Sequence, residues 1–230
     1  SGGFQGIPCC DGAGCRWRRR ARVGQRIVQI GGGQLARARG IGRLQVRSTL
    51  PERREIEPQI DFVLHGLPLD PTPEQTLKRF GHSHRQNVRT AEKRGVRVDV
   101  GTDLAAMRAF YDLQVQTRQR HGVPVQPWRY FGMLWDDLIA VGLGFVLLAY
   151  QDDQCIAGGV YLHWQQTLVA KYAASREDSL NLRPNDLLFW TAIRWGCEHG
   201  CQLLDFGRTE YGDQGLRQFK CRWGAEERDL

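Results

Sequence analysis

FVLLAYQDDQCIAGGVYLHWQQTLVAKYA, residues Phe145 to Ala173, decides the fold class. It holds three runs of apolar, branched and aromatic residues: Phe145 to Tyr150, Cys155 to His163 and Thr167 to Ala173. Short polar turns, Asp152-Asp153 and Gln165-Gln166, join them. Strand-forming runs joined by such short polar turns predict an antiparallel meander, because loops this short return the chain directly beside itself.

On either side the period lengthens from two to between three and four. Upstream, Asp103 caps a helix with apolar positions at Leu104, Met107, Tyr111 and Val115, which stops at Gly122. A second helix covers Trp128 to Ile139, with Phe131, Leu134, Trp135 and Leu138 on one side. Before them, Gln59 to Leu64 reads as a strand, and Pro68, Pro71 and Pro73 mark a linker with Thr72 or Pro73 opening a helix. His84 to Arg94 is a basic helix ended by Gly95, followed by a short strand, Val96 to Val100. Downstream, Pro184 suits a first helical position, Leu187 to Cys197 is apolar nearly all round and therefore buried, and Gln202 to Phe206 is the next strand.

Three segments carry a resemblance: HRQNVRTAEKRGV (His84 to Val96), RPNDLLFWTAIRWGCEHG (Arg183 to Gly200) and DFGRTEYGDQGLRQFKCRWGAEE (Asp205 to Glu227). Together with the element order they are similar to the FemAB-type acyltransferases of the GNAT superfamily, and within them to FemAB-related proteins with a BioF-like acetyltransferase domain. The resemblance implies an α+β fold with a GNAT-type mixed, largely antiparallel sheet flanked by helices. It covers about residues 58–230 as one complete lobe, leaving residues 1–57 as a partial, degenerate remnant of a preceding lobe. It also implies transfer of an acyl or aminoacyl group to an amine of a cell-envelope or exopolysaccharide precursor, small or lipid-linked. The co-substrate would be acyl-CoA or aminoacyl-tRNA, with no tightly bound cofactor.

Amine acylation needs a proton acceptor, stabilisation of a tetrahedral oxyanion and a site holding both substrates. GNAT lobes splay two neighbouring strands to admit the donor's acyl arm; here these would be Thr167 to Ala173, where Lys171 and Tyr172 alternate, and Gln202 to Phe206. The resemblance implies that Lys220, in the pair Phe219-Lys220, acts on the donor's acyl carbonyl or phosphate; a surface lysine is the alternative. Asp205 and Glu210 are candidate bases, with Asp205 equally able to cap the turn after its strand. Arg208 joins the donor-binding candidates. The loop SREDSLNLRPND, residues 175–186, lacks the glycines that usually cradle a CoA pyrophosphate, although Arg183 and Asn185 stand at a helix N-terminus where phosphate could dock. Arg85, Arg89 and Lys93 recur every fourth residue, a stripe suited to a phosphate-bearing acceptor or a tRNA backbone, or else a solvated face.

The chain has 230 residues with net charge +7, and 41% apolar residues exclude a wholly disordered protein. Residues 1–50 hold ten arginines and one acid, Asp11, so the basicity belongs to that end. Leu35 to Arg39 and Arg43 to Ser48 read there as a helix end and a strand. An Arg-rich end keeps open a basic RNA-binding module, and a single lobe keeps open an inactive remnant. The longest apolar run, Val141 to Tyr150, is half the roughly twenty residues of a spanning helix, so no transmembrane segment and a cytoplasmic location are expected. No metal is expected: Cys9, Cys10 and Cys15 lack a fourth ligand, and Cys197, Cys201 and His199 only straddle a helix end. The opening Ser-Gly-Gly suggests a fragment or processed chain.

Overall fold

The computed structural model describes residues 62–229 except Thr102, together with Gly40. The readings placed on residues 1–57, including the remnant lobe, lie outside these.

The elements run β1 (Phe62–Pro68), α1 (Pro73–Arg79), α2 (His82–Lys93), β2 (Arg97–Gly101), α3 (Leu104–Arg120) and α4 (Trp128–Leu134), which continues as a π-helical turn, Trp135–Ile139. Then come β3 (Gly144–Gln151), β4 (Gln154–Trp164), β5 (Thr167–Ser175), a 3-10 turn (Leu180–Leu182), α5 (Pro184–Glu198), β6 (Leu203–Glu210), α6 (Gln214–Arg222) and β7 (Glu226–Asp229). The sheet has seven strands in the order β2-β3-β4-β5-β6-β1-β7. All pairs are antiparallel except β5 with β6.

Local chemistry sets most boundaries. Asp103 accepts from the Ala106 N–H at 2.9 Å to start α3, Thr72 caps α1, and Pro184 occupies the first turn of α5. Asp152 and Gln165, at the two hairpin turns, take the left-handed backbone that tight turns demand. Alternation along β3 then builds three layers. Phe145, Leu147 and Ala149 face α2 and α5 through Val88, Ala91, Leu188, Ala192 and Ile193. Val146 and Leu148 face α3 and α4 through Met107, Phe110, Leu113 and Phe131.

Three differences from the sequence reading bear on the site. The first strand extends to Pro68 rather than ending at Leu64, since β6 pairs it as far as Pro68 while β7 pairs its other side from Val63 to Gly66. β6 runs past Phe206 to Glu210, because Gly207 does not end the strand but forms a bulge. β7 is wholly exposed and reads EERD, so no apolar alternation announced it.

Candidate active site

The pairing of the two parallel strands ends early. β5 and β6 pair only at Thr167 with Leu203, Leu168 with Leu204 and Val169 with Asp205. Beyond that apex β5 stays with β4 and β6 stays with β1, so the two strands diverge towards Ser175 and Glu210. Among the described residues, the facing edges carry backbone N–H and C=O groups without a ladder partner, which is what a bound extended arm would hydrogen-bond.

Both edges are bulged near the apex. On β5, Val160 lies opposite Tyr172 and Tyr161 opposite Ala170, so Lys171 is an extra residue with no partner on β4. The expected simple alternation of Lys171 and Tyr172 is thus broken, and Tyr172 turns into the aromatic layer, its hydroxyl donating to Tyr130 at 3.1 Å. Burial raises the Tyr172 phenol pKa further above its ordinary value. Lys171 is exposed. On β6, Leu64 pairs with Arg208 and Gly66 with Asp205, leaving Phe206 and Gly207 opposite His65 alone. Gly207 has φ of 70°, a left-handed conformation that strains a residue with a Cβ. Asp205 therefore lies inside β6, not at its end, and its Oδ1 accepts the Gly207 N–H at 2.7 Å.

Lys220 is neither a surface lysine nor free. α6 carries it inward, 5% exposed, and its ammonium donates to the carbonyls of Gly207 (3.0 Å) and Arg208 (3.4 Å) and to Thr209 Oγ1 (2.8 Å). Burial lowers its pKa to about 8, against opposing pulls from the Asp205 and Asp213 carboxylates. Because all three N–H groups already face acceptors, contact with a donor carbonyl requires exchanging one of them.

Residues the sequence did not single out complete this corner. His65 on β1 is fully buried, its Nδ1 3.4 Å from Thr209 Oγ1 and its Nε2 2.9 Å from Glu227 Oε1. Arg217 grips both oxygens of Glu227 at 2.9 and 2.8 Å. That fork, then the bond from His65, holds the Glu227 pKa at about 2. Thr209, Arg217 and Glu227 lie within the quoted motif; His65 carries no local signal. Cys221 completes a His65, Cys221 and Glu227 group with ligand atoms within 4.8 Å of one another, but the Arg217 fork already occupies both carboxylate oxygens.

The remaining candidates are dispersed. Arg208 is exposed and stacks over the Phe62 ring at 4.4 Å. Glu210 is exposed at the open end of β6, five residues and about 17 Å from Asp205 by strand rise. Asn185 donates to Ser175 Oγ at 3.2 Å, joining the start of α5 to the end of β5, while its Oδ1 is buried without a partner among the described residues. Beside it a cavity of about 410 Å³ is lined by Gln116, Arg120, Ser175, Arg176, Glu177 and Asp178. Arg183, exposed, takes the left-handed conformation usually left to glycine. Pro184 has no N–H, and the amides of Asp186 and Leu187 turn back onto the Arg183 carbonyl at 3.2 and 3.4 Å. Few amides are left to cradle a pyrophosphate.

Arg85, Arg89 and Lys93 do share one face of α2, where with His82, Gln86 and Thr90 they line a second cavity of about 470 Å³. α2 is fixed by its other face. His84 bonds through Nδ1 to the buried Asp186 carboxylate and through Nε2 to the Phe219 carbonyl at 3.2 Å, and it stacks on Trp223 at 4.2 Å. Cys197, by contrast, belongs to the core, within 3.5 Å of the Thr76 hydroxyl.

A sheet whose central parallel pair splays beside a bulged strand, with a helix starting at the open end, is the architecture of an acyl-transfer domain. The profile described as the acetyltransferase (GNAT) domain matches residues 78–220, and the chain belongs to that family. Among solved structures, FemX superposes with a TM-score of 0.67 at 19% identity, over 73% of this chain and 59% of its own. A conserved protein of unknown function from Bacteroides thetaiotaomicron gives 0.60 at 12% identity, over 88% and 70%. L-PGS from Bacillus licheniformis gives 0.51 at 12% identity, over 73% and 59%. These likenesses establish the shared fold, and the chain spans 59% of the length of FemX. No curated protein matches significantly. Among the described residues, no helix is long and apolar enough to cross a membrane.

Proposed function

We propose that this chain is the acyl-transferring lobe of an N-acyltransferase that moves an acyl or aminoacyl group from an activated donor to an amine of a cell-envelope or exopolysaccharide precursor. The observation that carries the reading is the opening between β5 and β6 beyond Val169 and Asp205, with a bulge on each edge. The donor's acyl arm lies along the free edge of β5, and its carbonyl reaches the apex near Lys171, Asp205 and the Gly207 bulge. The amine attacks that carbonyl, a tetrahedral oxyanion forms, and collapse expels the donor's leaving group. Asp205, whose second oxygen has no hydrogen-bond partner among the described residues, takes the amine proton through water, and Lys220 supplies positive charge behind the bulge. Glu210, at the open end, would meet the acceptor rather than the reacting amine.

The donor's phosphates would dock on Arg183 and Asn185, and those of a larger donor or acceptor in the α2 groove of Arg85, Arg89 and Lys93. The glycine-free loop provides a poor pyrophosphate cradle, which favours aminoacyl-tRNA over acyl-CoA.

The test is an amine-dependent transfer assay offering acetyl-CoA and aminoacyl-tRNA separately, with amino-sugar and lipid-linked amine acceptors. One donor should be consumed only when acceptor is present. Lys220→Met should lower turnover by about a hundredfold or more, the usual loss when a transition-state charge is removed. Acceptor-independent consumption, or none of either donor, defeats the reading.

A further inference from the structure

The groups around Lys220 form one ordered chain. Lys220 Nζ donates to Thr209 Oγ1 at 2.8 Å, Thr209 Oγ1 lies 3.4 Å from His65 Nδ1, and His65 Nε2 lies 2.9 Å from Glu227 Oε1. Each direction is determined by its neighbours. Glu227, ionised in the Arg217 fork, accepts only, so His65 Nε2 carries the proton. His65 Nδ1 is then an acceptor, the Thr209 hydroxyl must donate to it, and the hydroxyl's lone pair is left facing Lys220. The chain draws on β1, β6, α6 and β7, with separations of up to 162 residues.

From this geometry we infer that Thr209, His65 and Glu227 are positioning residues: they hold a hydroxyl acceptor towards Lys220 and so keep its buried ammonium charged and pinned to the Gly207 bulge. The inference deepens the acyl-transfer reading and rests on it for its catalytic meaning, but the chain itself exists without turnover. Net proton flow to Glu227 is not part of it, since a carboxylate held so acidic is a poor terminus. Burial keeps His65 below its ordinary value, and the Lys220 charge adds to this, so His65 relays orientation as a neutral ring. Other charged or titratable groups facing Lys220 and this chain are Asp205, Asp213, Arg217 and Cys221.

The experiment is an NMR titration of the lysine ε-carbons in the full chain, where Lys78, Lys93 and Lys171 are the only other lysines. Thr209→Val keeps the shape and removes the hydroxyl; the Lys220 midpoint should fall by about one pH unit or more, the loss expected for a hydrogen bond to a charged group. Thr209→Ser should restore it. Glu227→Gln, which frees the His65 tautomer, should also lower it, and decides the question alone if Thr209→Val does not fold. Unchanged midpoints in Thr209→Val and Glu227→Gln, or a Thr209→Ser midpoint that falls with that of Thr209→Val, overturn the inference. Once the donor is known, the pH profile of transfer should move with the NMR midpoint. Chain-dependent titration in a protein that transfers nothing would refute the functional reading and leave the chain intact; transfer that ignores the chain would do the reverse.

Discussion

Lys220 shows how one side chain can stand out in the sequence while its environment stays hidden. The motif singled it out, yet its surroundings depend on carbonyls exposed by a bulge thirteen residues away and on a histidine from the first described strand. Its lowered pKa has a thermodynamic signature. Below about pH 8 the lysine is protonated in both folded and unfolded states, and folding carries the full cost of burying the charge. Between about 8 and the ordinary 10.5 the folded state has released a proton that the unfolded state still binds, so stability rises with pH through that window. Relative to Lys220→Met, the native protein should gain roughly 3 kcal/mol across it, read from urea midpoints at successive pH values. A difference that stays flat with pH would mean that the ammonium is not buried in solution.

At the scale of elements, the clamp between α2 and α5 decides whether the α2 groove and α6 are held in register. His84 and Asp186 are 4% and 6% exposed, and the imidazole also supports the carbonyl immediately before Lys220. Removing one partner of a buried pair strands the other, whereas replacing both by apolar groups can be nearly neutral. His84→Leu alone should therefore cost about 3–5 kcal/mol, and His84→Leu with Asp186→Leu should recover most of it. Chemical denaturation of the single and double variants measures this; additive losses would show that the two do not act as a pair. The sequence disclosed the helices through local signals: Asp103, Thr72 and Pro184 at their starts and Gly122 beyond the end of α3. It did not disclose the clamp, because no local rule pairs residues 102 positions apart.

For the molecule as a whole, the meander from Phe145 to Ala173 and the buried helix after it were legible because alternation and tight turns are local. The order of the sheet was not. β1 enters between β6 and β7, and Gly207, which reads as a strand end, becomes a bulge only because β1 pairs across it. The same long-range pairing accompanies the β5–β6 opening and brings His65 to the Thr209 hydroxyl beside Lys220, so the candidate site's framework followed from the family resemblance and its surroundings from the structure. Hydrogen–deuterium exchange on the full chain, with and without acetyl-CoA and a hydrolysis-resistant aminoacyl-tRNA analogue, examines that opening directly. The amides of Ala170 to Ala174 that point away from β4 should exchange freely alone and become protected when one of the two donors binds. A donor that binds while leaving them unprotected, or failure of both to protect any part of the opening, would contradict the assignment of this cleft as the acyl-donor site.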